Sequence, residues 1–147
     1  PMAADSAIQL APDIRVTPFT VPHRDEFSET AGYRIEAAGK RILFIPDIDK
    51  WEKWERDIRR EIQNVDLAYL DATFYKNGEL ARDMSEIPHP FVEESTRLFA
   101  GLSDRDKAKV RFIHFNHTNP LLWDFEEIQE LEKLGFRIAR EGDLVPF

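Results

Sequence analysis

Apolar and polar residues alternate along this chain in short blocks whose period changes in a regular order. Ile14–Val21 (IRVTPFTV) is rich in β-branched and aromatic residues and stops at Pro22, which predicts a strand. Gly32–Ala37 (GYRIEA) and Arg41–Ile45 (RILFI) predict two more strands, joined by a hairpin turn at Gly39–Lys40. The period then lengthens. Trp51, Trp54, Ile58 and Ile62 recur at spacings of three and four, the stripe of an amphipathic helix over Trp51–Gln63 that packs into a core, with Asp49 as a candidate cap. Asp66–Ala72 (DLAYLDA) is a short apolar run of the buried-strand type, and the polar loop Lys76–Pro88 after it carries a turn signal at Asn77–Gly78. Pro90 suits the first turn of a helix in FVEESTRLFAG that Gly101 would end. Val110–Phe115 predicts a strand, Asp124–Leu134 a helix closed by Gly135, and Phe136–Arg140 a last strand. Strands that come first and then alternate with helices predict the α/β class.

Composition adds limits to this pattern. A chain of 147 residues has the length of one domain, 1–147, and its 42% hydrophobic and 33% charged residues suit a folded α/β protein rather than a disordered tail. The formal charge of −8, with basic residues interleaved among acidic ones, argues against a nucleic-acid or anionic-membrane partner. Cysteine is absent, so disulfides and thiolate ligands are excluded, and a transition-metal site must be built from His, Asp and Glu. No apolar run is long enough for a membrane span and no signal pattern opens the chain, which makes the cytoplasm the expected compartment. The start at Pro1–Met2–Ala3 reads as a cut end.

Candidate chemistry collects at predicted strand ends. His23 follows the first strand, Asp47 follows RILFI, Asp71 closes AYLDA and His114 lies at the end of VRFIHF. Ligands of α/β sheets gather outside the carboxyl ends of strands, so these residues can converge there. Imidazoles with a carboxylate that could bridge two cations suit Zn²⁺, Mn²⁺ or Fe²⁺. Each residue also has a plainer reading. A single His at a strand end is more often a hydrogen-bonded structural residue, and Asp47 and Asp71 could each cap a following helix or turn. The stretch FNHTNPLL could be a turn whose Asn and Thr side chains satisfy backbone groups, and its glycosylation triplet Asn116–His117–Thr118 has no secretory signal to support it.

The order of VTPFTVPHRDEFSETAGYRIE, KRILFIPDID, DLAYLDATFY, EIPHPFVEES and VRFIHFNHTNP resembles the second half of the metallo-β-lactamase fold. The branch it is most similar to is that of pyrroloquinoline-quinone biosynthesis protein B; ribonuclease Z and the phosphodiesterases are more distant relatives. The resemblance implies the C-terminal half of an αββα sandwich, a mixed sheet with helices on one face. It implies that His23, Asp47 and His114 are ligands of a divalent metal, expected to be zinc with manganese or iron as alternatives. It implies that His89 in IPHPFVEES is the acid, a role that an imidazole pKa of ~6.5 permits near neutral pH. His117 and Asp71 are expected to stand behind these residues or to meet substrate. The stretch from His23 to Gly32 is longer than in ribonuclease-Z-like relatives, so Asp25 or Glu26 could intrude on the site.

The family's His-x-His-x-x-His cluster occurs nowhere in the chain. The expected function is therefore half of a metal-dependent hydrolase, attacking an ester or phosphodiester of a small-molecule substrate with a metal-activated water, and inactive alone. A metal-dependent oxygenase-like role in quinone cofactor biosynthesis is the first alternative, and a non-catalytic dimerising fragment of the fold the second. The apolar face that the other half would cover implies a partner chain supplying it, or self-association.

Overall fold

The computed structural model describes residues 3–144. Seven strands form one sheet in the order of the chain: β1 (Ile8–Ala11), β2 (Ile14–Val21), β3 (Thr30–Ala37), β4 (Lys40–Ile45), β5 (Leu67–Asp71), β6 (Val110–Ile113) and β7 (Arg137–Ile138). β1 to β4 pair antiparallel, and β4 to β7 pair parallel. This topology decides where the site can form. β2 and β4 are separated by one reversed strand, so they run the same way as β5 and β6, and all four end on one edge of the sheet.

Three of the expected strands match β2, β3 and β4 within two residues. The hairpin turn lies one residue earlier than expected, at Ala38 and Gly39, whose φ values of 50° and 76° are the paired left-handed conformations that fit the twist of a two-residue hairpin. β1 and the single-turn helix α3 (Asp104–Lys107) were not expected, each being only four residues long. The long expected helix is broken: a 3₁₀ turn at Trp51–Lys53 is followed by an extended Trp54 (φ −85°, ψ 134°), and α1 (Ile58–Gln63) begins only afterwards. Asp57, not Asp49, caps it by accepting from the Arg59 N–H at 3.0 Å. All four apolar positions of the stripe are nevertheless buried.

The core lies on one face of the sheet. Phe19, Leu43, Ile45, Ala68, Leu70, Val110 and Phe112 alternate inward along their strands and meet Trp51, Trp54, Ile58, Ile62, Val92, Leu131 and Phe136 from the connecting segments. Gly32 admits Phe19 to this layer, since a Cβ there would stand 2.5 Å from the ring. α2 (Val92–Leu98) and α4 (Phe125–Lys133) complete the cover. Asp124 caps α4 by accepting from Glu126 and Glu127, and Gly135 ends it at φ 98°, as the pattern implied. On the opposite face, Val16, Tyr33, Ile35, Ile42, Phe44 and Tyr69 are only partly buried, with Phe44 and Tyr69 6.4 Å apart ring to ring. No helix among the described residues is long and apolar enough to cross a membrane.

Candidate metal centre

The shared strand edge gathers side chains that are far apart in sequence. Donor atoms of Asp47, Asp71, His89 and His114 all lie within 4.8 Å of one another. His23 stands against them: its Nε2 is 3.4 Å from Asp47 Oδ2, and its ring lies 5.2 Å from that of His89.

Backbone bonds between neighbouring loops hold these residues in place. After β2 and β4, the Asp49 N–H donates to the Pro22 carbonyl at 2.7 Å, which brings His23 beside Asp47. After β5 and β6, the Ala72 N–H donates to Ile113 and the Asn116 N–H to Thr73, both at 2.9 Å. Asn119, fully buried, donates from Nδ2 to the Ala72 carbonyl at 2.8 Å and accepts from the Leu121 N–H. β6 stops at Ile113 because His114 turns into the left-handed region, φ 64°, which few residues other than glycine adopt. His89 arrives on the long loop before α2, held between Pro88 and Pro90 and anchored by a small cluster of Phe74, Met84, Ile87 and Phe91. Glu94 secures the helix entry by accepting from the Phe91 N–H and from Lys50 Nζ.

Asp71 is the electrostatic centre. It has no exposed surface, and four groups donate to its carboxylate: the Thr73 N–H and hydroxyl to Oδ1 at 2.8 and 2.6 Å, and the Ile48 N–H and His89 Nδ1 to Oδ2 at 3.2 and 2.7 Å. Burial pushes its pKa up, but the bonds from His114, His89 and Thr73 and the charge on His89 outweigh burial, and the pKa falls below the ordinary carboxylate value. His114, more exposed, is raised chiefly by hydrogen bonding to Asp71, with burial opposing. The acceptor positions of Asp71 are thus taken up by the protein's own donors.

Asp47 is in the opposite situation. Its Oδ1 and the Nδ1 of His23 are buried and have no hydrogen-bond partner among the described residues. His89 Nδ1 lies 3.4 Å from that oxygen, an ion-pair distance without hydrogen-bond alignment. Leaving a buried polar atom unpaired costs about 1–3 kcal/mol, so this carboxylate and imidazole have donor capacity that the protein's own groups do not use. The donor set is nitrogen and carboxylate oxygen only, which fits a borderline divalent metal. Beside His23 and His89 opens a cleft of about 380 Å³ that Arg24, Phe74, Arg82 and Ile87 help to line.

His23, Asp47, Asp71, His89 and His114 are thus brought together. His117 is not: it sits exposed on the turn that Asn116 and Thr118 close between them. Asp25 is not either, because its loop turns away and it lines a different cleft with Asp5, Glu29 and Arg56. Thr73 was not singled out, although its hydroxyl touches Asp71, His89 and His114. The Asp-x-Thr spacing after a buried strand, where a carboxylate accepts from the N–H two residues on, was the available signal.

Residues 1–115 match the Beta-lactamase superfamily domain, and the chain belongs to that family. Coenzyme PQQ synthesis protein B of Methylobacterium sp. (strain 4-46) is 26% identical over 164 residues, covering 96% of this chain and 53% of that protein. The protein of that name from Xanthomonas axonopodis pv. citri is 23% identical over 163 residues, covering 97% and 53%. The crystal structure of Zn(2+)-bound PqqB from Methylobacterium extorquens superposes with a TM-score of 0.78 at 24% identity, over 99% of this chain and 55% of that one. The metallo-beta-lactamase fold protein YhfI from Bacillus subtilis gives 0.61 at 16% identity, over 97% and 53%. The chain spans about half the length of these relatives.

Proposed function

We propose that this chain supplies one half of a divalent-metal site for hydrolysis of an ester or phosphodiester. The observation that carries this reading is the unpaired Asp47 Oδ1 inside a converged cluster of histidines and carboxylates, with His23 Nε2 beside its other oxygen. His23, Asp47 and His114 would hold the metal, zinc being the expected ion. When bound, the metal polarises the substrate's ester or phosphoryl oxygen and lowers the pKa of water.

The chain's own groups do the rest. Asp71 accepts the Nδ1 hydrogen of His89 and so directs that ring, leaving its other nitrogen to carry a proton to or from a leaving group. The cleft beside His23 is of a size that takes a small molecule, about 300–1,000 Å³ being usual, and Phe74 and Ile87 give its wall an apolar part. Asp47, its Oδ2 toward His23 and its Oδ1 toward His89, faces two ways and suits a bridging carboxylate.

The remaining ligands would come from a second polypeptide segment carrying the other half of the sandwich, seated on the partly exposed face of the sheet. Such a segment would complete a set of at least three protein ligands around an open position. Plasma-emission metal analysis of the purified chain, alone and co-expressed with a relative's N-terminal half, tests the site. Chelator-sensitive hydrolysis of bis(p-nitrophenyl) phosphate or p-nitrophenyl acetate by the complemented protein is the expected result. A metal-loaded, complemented protein that cleaves neither would sink the hydrolase reading.

The similarity to coenzyme PQQ synthesis proteins favours a second reading, an oxygen-dependent step in quinone cofactor formation. Stoichiometric iron with oxygen uptake would support it; zinc without oxygen uptake would exclude it.

A further inference from the structure

The Thr73 hydroxyl lies among three groups: Asp71 Oδ1 at 2.6 Å, His114 Nδ1 at 3.0 Å and His89 Nδ1 at 3.1 Å. A hydroxyl has one proton and two lone pairs, and an ionised carboxylate can only accept. The shortest contact is to the buried carboxylate, so the proton is committed there. Towards the two imidazoles Oγ1 can then only accept. His114 Nδ1 has one other near neighbour in this network, Asp71 Oδ1 at 3.5 Å, and that atom also only accepts. Both contacts demand hydrogen on Nδ1.

We infer that Thr73 is a positioning residue that fixes the tautomer of His114, holding hydrogen on Nδ1 so that the neutral ring presents its lone pair at Nε2. A neutral histidine free in water favours the reverse, with hydrogen on Nε2, so the protein inverts the intrinsic preference. Asp71 does the same directly for His89 at 2.7 Å, and through one hydroxyl for His114. A single buried carboxylate thereby aligns two imidazoles, and Thr73 extends its reach across the gap between them. The consequence for metal, ligation of His114 through Nε2, rests on the reading proposed above; the tautomer does not.

Long-range ¹H–¹⁵N correlation spectra of the full chain, labelled at histidine, stripped of metal and held at a pH where the rings are neutral, read the tautomer directly. The expected wild-type signature for His114 is a protonated Nδ1 and an unprotonated Nε2. Thr73→Ser should keep it, while Thr73→Val and Thr73→Ala should shift His114 toward the Nε2-protonated form with unchanged circular dichroism. A wild-type His114 protonated on Nε2 overturns the inference even if no variant folds, as does an unchanged signature in Thr73→Val. Zinc titration of the same samples separates the two readings. Zinc should move the Nε2 resonance of His114, and Thr73→Val should bind it about 10–100-fold more weakly, with Thr73→Ser close to wild type. If the tautomer is as inferred but zinc leaves His114 unmoved, the inference stands and the metal reading falls. Equal weakening by Thr73→Val and Thr73→Ser counts against positioning by the hydroxyl.

Discussion

Asp71 and Asp47 sit 24 positions apart near the ends of neighbouring strands, and they differ in whether the protein fills their lone pairs. That difference was not legible in the sequence, where both read as an aspartate following a strand. It arises from what folds over them: the Ile48 N–H, Thr73 and His89 close on Asp71, and among the described residues no hydrogen bond reaches Asp47 Oδ1. His23, Asp47, Asp71 and His114 could be found from their positions at strand ends, whereas His89, delivered by a long loop, was found only through a family resemblance. The difference predicts opposite effects on folding. Asp71→Ala strands several buried donors and should destabilise the metal-free protein strongly, by several kcal/mol in urea titration. Asp47→Ala removes an unpaired acceptor and should be neutral or stabilising without metal while abolishing metal binding. A loss of metal-free stability from Asp47→Ala as large as that from Asp71→Ala would contradict this assignment. Gly32→Ala tests the core at the same scale: a Cβ placed 2.5 Å from Phe19 must displace the ring, an overpacking cost of about 1–3 kcal/mol.

Among the elements, sequence periodicity located buried faces better than it located backbone breaks. The stripe Trp51, Trp54, Ile58, Ile62 has helical spacing and is buried throughout, yet its first half is a 3₁₀ turn and an extended residue. Burial selects side-chain identity, and two backbone paths can put these four side chains in one layer. The break matters to the site, because the 3₁₀ turn begins four residues after Asp47 and carries Trp51, whose indole N–H donates to buried Ser95 of α2 at 2.9 Å. The cap that starts α1 after the break gives a prediction. Asp57→Ala should cost about 1 kcal/mol near neutral pH, from the lost bond to the Arg59 N–H. The Asp57 pKa is lowered on folding, chiefly by the hydrogen bond from the Arg59 side chain. A depressed carboxylate stabilises above its unfolded pKa and loses that contribution as pH falls through its folded value. The gap between wild type and Asp57→Ala in thermal melts should therefore narrow in acid; a gap independent of pH would show that the cap's charge plays no part.

For the molecule as a whole, the sheet has one face built into a core and one with Val16, Tyr33, Ile35, Ile42, Phe44 and Tyr69 half-covered. The α/β class and the covered face followed from the hydrophobic pattern. What covers the second face did not, because a strand buried on both sides and one buried on a single side differ little over four or five residues. If a second segment or a second copy seats there, Phe44→Lys and Tyr69→Lys should reduce association seen by light scattering and leave the monomer's circular dichroism unchanged. Equal mass for wild type and variants at all concentrations would refute that use of the face. The loops beyond the sheet edge are hydrogen-bonded to one another. Asn119 holds the Ala72 carbonyl, the Ala72 N–H holds Ile113, and the Asn116 N–H holds Thr73. Loops joined in this way open together or not at all. The amides of Ala72, Asn116 and Leu121 should exchange with deuterium at one common rate, and Asn119→Ala should speed all three. The chain's share of the centre would then persist or vanish as a unit, giving the donor cluster a single lifetime.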